Sequence, residues 1–118
     1  MKYVFILSSL FISSLIMGQA GNPENSGERI LLENEKLKVV EFMSQPNGDV
    51  CGEGMHHHEP HLTVVVNDAK VQVTSEDGKS QDVEVASGTS IWFDAETHSV
   101  MNKGDKPTKM ILVYLKKE

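Results

Sequence analysis

The stretch HLTVVVNDAKVQVTSEDGKSQDVEVA, residues 61–86, decides the class of fold. Apolar and polar residues alternate over residues 70–74, and residues 81–86 repeat that alternation. A period of two places successive side chains on opposite faces of a β-strand. Between the two runs, Asp77-Gly78 is a strong signal for a tight β-hairpin turn. The stretch therefore predicts neighbouring antiparallel strands.

Similar short segments lie on both sides of this hairpin. A glycine-rich loop with the turn signal Pro46-Asn47-Gly48 precedes it. Only residues 28–36, ERILLENEK, are ambiguous between helix and strand. About nine strands at close spacing predict an all-β sandwich or barrel. The segments are RILLEN, KLKVVEFMSQ, MHHHE, HLTVVVND, KVQVTSE, KSQDVEVA, SIWFDA, HSVMNK and TKMILVYLKK.

The first twenty residues are typical of a secretory signal peptide. Lys2 supplies a positive charge, an apolar run extends from about Tyr3 to Met17, and small residues lead to a cleavage position after Ala20. The alternative is an uncleaved membrane anchor, for which the apolar run is short. We therefore expect export to the periplasm or the medium. The expected organisation is a signal peptide over 1–20, a flexible lead-in over 21–29 and one domain over 30–118.

Charge and cysteine content exclude several classes of function. The net charge of −6 becomes about −7 when Lys2 leaves with the signal peptide. Such an acidic chain lacks the basic face that binding to nucleic acid or to an anionic membrane requires. Cys51 is the single cysteine, so the chain cannot form an internal disulfide. The pattern favours a buried apolar role for Cys51 over a reactive or metal-binding thiol.

Four of the five histidines lie within the six residues HHHEPH, 56–61. In a strand, His56 and His58 point to one face and His57 points away from them. Pro60 marks a break, and a turn there could bring His61 back beside the pair. Converging imidazoles suit divalent transition metals. The alternative is a solvent-exposed histidine tract that chelates metal without a built site.

The fifth histidine, His98, lies in GTSIWFDAETHSVMNKGD, residues 88–105. With this segment the chain resembles the cupin superfamily, whose two motifs have the forms G…HxH…E…G and G…PxG…H…N. The first motif is matched by Gly54 or Gly52 with His56 and His58, and the second by Gly88, His98 and Asn102. The resemblance extends over about residues 30–117. It implies a double-stranded antiparallel β-helix, or jelly-roll barrel.

The chain departs from the cupin motifs at several positions. His61 stands in the place of the family's glutamate ligand, and Asp68 replaces the glycine that closes the first motif. Asp94 and Glu96 replace the proline and glycine of the second motif. The resemblance therefore implies an all-histidine metal site that holds Fe, Mn, Ni, Cu or Zn. Its ligands would be His56, His58, His61 and His98.

An all-histidine site implies a particular kind of ligand. Exchanging carboxylate for imidazole raises the net charge of the centre by one, which favours a small anionic or chelating molecule. Thr63, Val65, Val100 and Asn102 share the strand faces of the histidines, so they are expected to line the pocket. Tyr114 is expected to be half-buried or to offer a hydroxyl to the pocket.

Three functions remain open on the sequence alone. The first is an exported metalloenzyme, for which the resemblance implies a dioxygenase, isomerase or lyase, with Glu59 and Glu96 as candidate general acids or bases. Loss of the motif glutamate is similar to the all-histidine ferrous sites of thiol dioxygenases. The second is a non-catalytic metal- or ligand-binding cupin, in which four imidazoles close the site. The third is a protein–protein module with incidental histidines.

The sequence also bears on self-association. An open β-domain has edge strands to cover, and the resemblance implies a homodimer.

Overall fold

The computed structural model describes residues 27–117, and this part of the chain is all-β, as predicted. The ambiguous segment 28–36 contributes a strand and the start of the next turn. The nine strands are β1 (Gly27–Glu33), β2 (Leu37–Ser44), β3 (His56–His58), β4 (His61–Val65), β5 (Ala69–Ser75), β6 (Ser80–Val85), β7 (Ser90–Phe93), β8 (Glu96–Asn102) and β9 (Thr108–Leu115).

The N-terminal predictions fall mostly outside this range. The expected signal peptide over 1–20, its cleavage position and residues 21–26 of the lead-in lie outside the described residues. The expectation of a lead-in is wrong for residues 27–29, because β1 begins at Gly27. Pairing with β2 draws these residues into the sheet, with Gly27 opposite Met43 and Arg29 opposite Glu41.

Two antiparallel sheets face each other. One has five strands in the order β1-β2-β9-β4-β7, and the other has four in the order β3-β8-β5-β6. Alternation along the strands turns every second side chain inward, as in β9, where Met110 and Leu112 are buried. Val71 and Val100 of the four-stranded sheet join the same core. The arrangement is a jelly-roll sandwich.

The predicted hairpin joins β5 and β6. Val71 pairs with Val83 across it, as the alternation requires. The Gly78 amide donates a hydrogen bond to the Ser75 carbonyl at 2.9 Å, and Gly78 has a φ of 87°. Glycine adopts this left-handed conformation at little cost, which explains why Asp77-Gly78 forms the turn between the two strands.

The loop that leads to the histidine cluster is held against β8. The Val50 amide donates to the Val100 carbonyl at 2.9 Å, and Asp49 forms a β-bridge with Met101. At the start of the loop, the Asn47 amide donates to the Asn102 carbonyl at 2.7 Å. The segment therefore extends the four-stranded sheet beyond β3 and fixes where residue 51 lies.

One strand contributes little to the core. All seven residues of β1 are exposed, including Ile30, Leu31 and Leu32, and β1 pairs with β2 alone.

Within residues 27–117, there is no helix with the length and apolar character needed to cross a membrane.

Candidate metal centre and cavity

Strands β3 and β8 bring three histidines to one spot. His56 lies opposite His98 in the antiparallel register. The ring centroid of His56 is 4.5 Å from that of His58 and 5.0 Å from that of His98. His57 points away, where it contacts Thr97 Oγ1 at 2.9 Å. The period of two thus separates the clustered imidazoles from the exposed one, as expected.

His61 reaches the same region from the five-stranded sheet. The turn at Pro60 places its ring 4.9 Å from that of His58, and its side chain is buried. The ring also stacks on Phe93, with the centroids 5.5 Å apart. All four predicted histidines therefore lie near one another, although His61 lies outside the tightest group of donor atoms.

That tightest group contains the cysteine. One donor atom from each of Cys51, His56, His58 and His98 lies within 4.8 Å of the others. Cys51 Sγ is 3.5 Å from His56 Nε2 and 3.6 Å from His98 Nε2. The sequence favoured an apolar role for Cys51. It is buried as expected, but its neighbours are imidazoles.

Each of the four histidines has its Nδ1 atom directed at an oxygen. His56 Nδ1–H donates to the Gly54 carbonyl at 2.8 Å, and His61 Nδ1–H donates to the Glu59 carbonyl at 2.7 Å. A carbonyl oxygen can only accept, so in the neutral form these two rings carry their lone pair on Nε2. Histidines that bind metal characteristically use their second nitrogen in this way.

The remaining two histidines follow the same pattern through side chains. His58 Nδ1 lies 2.7 Å from the Tyr114 hydroxyl, and His98 Nδ1 lies 3.4 Å from Glu96 Oε1. When each Nδ1–H donates to its oxygen, Nε2 is left free for a ligand bond. Tyr114 is therefore a site residue, which the sequence had left as one of two possibilities.

The electrostatics also fit a transition metal. Burial, followed by the neighbouring imidazoles, lowers the pKa of His58 to about 3. Burial also lowers the pKa of His98, although the Glu96 carboxylate opposes that change. Neutral imidazole is the form that binds metal. Among the described residues, His58 Nε2 is a buried atom without a hydrogen-bond partner, which is expected of a nitrogen that binds a metal ion.

Two neighbouring groups hold their protons at neutral pH. Burial raises the pKa of the Cys51 thiol to about 12, with further contributions from Glu96 and Asp49. Burial likewise raises the pKa of the Tyr114 phenol to about 12. Without metal, the centre therefore contains a thiol and a phenol, both protonated.

A glycine makes room for one of the imidazoles. At Gly52, whose φ is 149°, an added Cβ would lie 2.9 Å from ring atoms of His56. A side chain there would push the ring away from His58 and His98. The close approach gives a physical reason for glycine in the loop before the cluster.

The two candidate acid–base residues have different surroundings. Glu96 lies beside the cluster, where its Oε2 atom is buried without a hydrogen-bond partner among residues 27–117. Glu59 instead points to solvent, with 76% of its side chain exposed, and pairs with His57 at 3.1 Å. Alternation along the chain explains the difference, because Glu59 follows the inward-facing His58. The structure therefore does not support Glu59 as a site residue.

A cavity of about 280 Å³ adjoins the cluster inside the barrel. His61, His98 and Cys51 line it together with Glu96 and Thr63. Most of the remaining wall is apolar, and includes the expected residues Val65 and Val100, with Val71, Val73, Val83, Val85, Ile91, Phe93, Met110 and Leu112.

The expectation that Asn102 lines this cavity is wrong. Its amide group is fully buried elsewhere and donates to the carbonyls of Ser44 and Lys106, while its Oδ1 accepts from the Gly104 amide. Asn102 thus holds the ends of neighbouring loops together.

The comparisons with known proteins agree with this architecture. No protein-family model and no curated protein matches the chain by sequence. Among solved structures, the chain is similar to a cupin-domain protein from Bordetella pertussis Tohama I, with a TM-score of 0.70 and 21% identity over 79% of this chain and 95% of that one.

Two further structures have named activities. The polyketide cyclase RemF from Streptomyces resistomycificus is similar with a TM-score of 0.59 and 19% identity over 78% of this chain and 66% of that one. A variant of oxalate decarboxylase from Bacillus subtilis gives a TM-score of 0.58 and 18% identity, over 78% of this chain and 26% of that one. At identities of 18–21%, the similarity to these structures shows a shared fold and nothing about function. The chain therefore has the jelly-roll fold of the cupin superfamily, with a Cys/His cluster that could hold a metal ion.

Proposed function

We propose that this chain is an exported, mononuclear metal-binding cupin that takes up a small anionic or chelating molecule beside its metal. The observation that carries the proposal is the orientation of the imidazoles. Four rings direct Nδ1 at oxygens, and His58 Nε2 is buried without a hydrogen-bond partner among the described residues. His58 Nε2 therefore lacks a partner that a cation would supply, and His56 Nε2 and His98 Nε2, which contact only Cys51 Sγ, lie close enough to bind the same ion.

The metal would be a divalent transition ion held by His56, His58 and His98, with His61 or Cys51 as the further ligand. Fe, Mn, Ni, Cu and Zn are the candidates, since imidazole suits most of these ions. Such an ion supplies Lewis acidity, or redox chemistry if it is iron or copper. The chain's own contribution is to hold the rings in their neutral form and, through the apolar wall, to limit water around them.

The cavity supports a second component, a small molecule. Its lining includes the polar side chains of His61, His98, Glu96 and Thr63, and most of the rest of the wall is apolar. This layout favours a ligand whose chelating group faces the cluster and whose body is apolar, because apolar burial then adds to the affinity. A polyketide cyclase and an oxalate decarboxylase share the fold. Both supply precedent for small-molecule chemistry in such a barrel.

A non-catalytic role is the second candidate function, and a specific observation favours it. The donor atoms of Cys51, His56, His58 and His98 lie within 4.8 Å of one another. Four protein donors can complete a tetrahedral ion and leave no position for substrate. The chain would then bind or sequester metal, or use it to stabilise the barrel.

Elemental analysis of residues 21–118 without an affinity tag tests the metal site. We expect near-stoichiometric metal in the wild type, little in His98→Ala, and wild-type content in His57→Ala. The last variant is the matched control, because His57 belongs to the same tract but points away from the cluster. Equal metal in all three proteins would show that the tract chelates metal without a built site, and would refute the proposal.

Export rests on the first twenty residues and is tested separately. The full-length chain should be processed on expression in a bacterium with a periplasm. We expect the mature protein in the periplasmic fraction or the medium, with Gly21 as its first residue by N-terminal sequencing. An intact N-terminus in the membrane fraction would support an uncleaved anchor instead.

A further inference from the structure

We infer that Cys51 is the fourth ligand of the metal centre, bound as a thiolate, and that the centre therefore selects thiophilic ions such as Zn²⁺ or copper. This inference rests on the proposed metal site and specifies its donor set. Because four protein donors can complete a tetrahedral ion, it favours the non-catalytic candidate, in which a small ligand would contact the cavity wall and not the metal. It replaces the all-histidine set with one sulfur and three imidazole nitrogens, from His56, His58 and His98.

The positions of the donor atoms carry the inference. Cys51 Sγ lies 3.5 Å from His56 Nε2 and 3.6 Å from His98 Nε2, so it contacts the atoms that the Nδ1 hydrogen bonds leave free. His58 Nε2, buried and without a partner among the described residues, belongs to the same group within 4.8 Å. A cation placed among these four donors would satisfy all of them at once.

His61 is held differently. Its Nδ1–H donates to the Glu59 carbonyl, and its ring packs against Phe93 and against Tyr114, with the ring centroids 5.5 Å and 5.2 Å apart. His61 belongs to β4 of the five-stranded sheet, where it pairs with Phe93, while the four proposed ligands belong to β3, β8 and the loop along β8. His61 therefore faces the cavity as an imidazole that a small ligand could contact.

Coordination by Cys51 changes the charge of the centre. The S–H bond breaks, a bond from Sγ to the metal forms, and the proton leaves to solvent, as is usual when a thiol binds a dication. The thiolate then reduces the charge of the metal with its ligands from +2 to +1. A lower charge suits the mostly apolar cavity wall, because an uncompensated dication beside it would be poorly solvated.

The donor set also predicts which metals bind. Thiolate is a soft ligand that favours copper and zinc, whereas Mn²⁺ prefers oxygen donors. We expect the purified protein to retain Zn²⁺ or copper and to bind Mn²⁺ weakly.

Cobalt(II) provides a direct test on the wild-type protein. Co²⁺ bound by a thiolate absorbs strongly in the near ultraviolet through sulfur-to-metal charge transfer, and Co²⁺ bound by histidines alone does not. We expect this band in wild type and in His61→Asn, and its loss in Cys51→Ser and Cys51→Ala. Zn²⁺ affinity, measured by chelator competition, should fall more than about tenfold in both Cys51 variants and stay near wild type in His61→Asn.

The outcomes separate this inference from the proposed function. Tight metal binding by wild type without the charge-transfer band, or loss of affinity in His61→Asn with none in the Cys51 variants, would overturn the inference and leave the metal site standing. No metal binding by wild type would overturn both. Because the band is read on the wild type, a Cys51 variant that fails to fold does not affect the decision.

Discussion

The hydrogen bond between His58 and Tyr114 should control both stability and metal binding. His58 Nδ1 lies 2.7 Å from the tyrosine hydroxyl, and only 6% of the His58 residue is exposed. Tyr114→Phe removes the hydroxyl and keeps the ring, whose stacking on His58 and tilted contact with His61 are then preserved. The variant therefore tests the contribution of the Tyr114 hydroxyl alone.

The expected cost follows from what remains after the change. His58 would keep a buried Nδ1–H with no acceptor, and leaving a buried donor unpaired costs about 1–3 kcal/mol of folding free energy. Without the hydroxyl, the ring is also free to move its proton to Nε2, which would block the ligand bond. Loss of such an outer partner typically lowers metal affinity by about 10–100-fold.

Two measurements test this reasoning. Urea unfolding of the metal-free protein gives the change in free energy, and chelator competition gives the affinity for Zn²⁺. Ser44→Ala is the matched control, because the Ser44 hydroxyl is buried without a hydrogen-bond partner in the described part of the chain. Its removal should leave both quantities unchanged or raise stability. Wild-type affinity in Tyr114→Phe would refute the role assigned to the hydroxyl.

Three further predictions concern pH, a carboxylate and an exposed strand. Folding lowers the pKa of His58 from 6.5 to about 3, so the unfolded chain takes up the proton first as the pH falls. The metal-free protein should therefore lose about 2 kcal/mol of stability between pH 7 and about pH 5, and a flat unfolding free energy over that interval would contradict this. Glu96→Gln removes the carboxylate that raises the pKa of His98, so NMR titration should find that pKa lower still than in wild type, and an unchanged value would exclude the 3.4 Å contact in solution. If the exposed apolar residues of β1 meet a second copy, Leu32→Glu should convert the predicted homodimer to a monomer in light scattering, whereas a wild type that is already monomeric would rule the dimer out.

The strands could be predicted from the sequence because their signals are local. Alternation over residues 70–74 and 81–86 indicates two strands, each with one face turned inward, and Asp77-Gly78 indicates the turn between them. The separation of His57 from His56 and His58 depends on the same period of two. The predicted flexible lead-in was wrong at residues 27–29. These residues lie in a polar segment rich in turn-forming residues, but they form a strand because they pair with β2.

Part of the site could be predicted as well. Four histidines in six residues indicated a metal site, and the resemblance to the cupin motifs added His98 from a distant segment. The glutamates could not be distinguished, because the sequence places both next to ligands. Only the strand alternation and the turn at Pro60 send Glu59 to solvent and keep Glu96 beside His98.

The sequence by itself determined an all-β domain and a histidine-rich site, since both depend on patterns within a few residues. The tertiary structure alone decided which atoms surround that site. Cys51 joins the cluster because residues 47–50 lie along β8 through backbone hydrogen bonds, which no side-chain pattern encodes. Tyr114 reaches His58 because β9 and β3 belong to opposite sheets whose inner faces meet. Contacts between sheets depend on how the strands pack in three dimensions, and spacing along the chain carries little of that information.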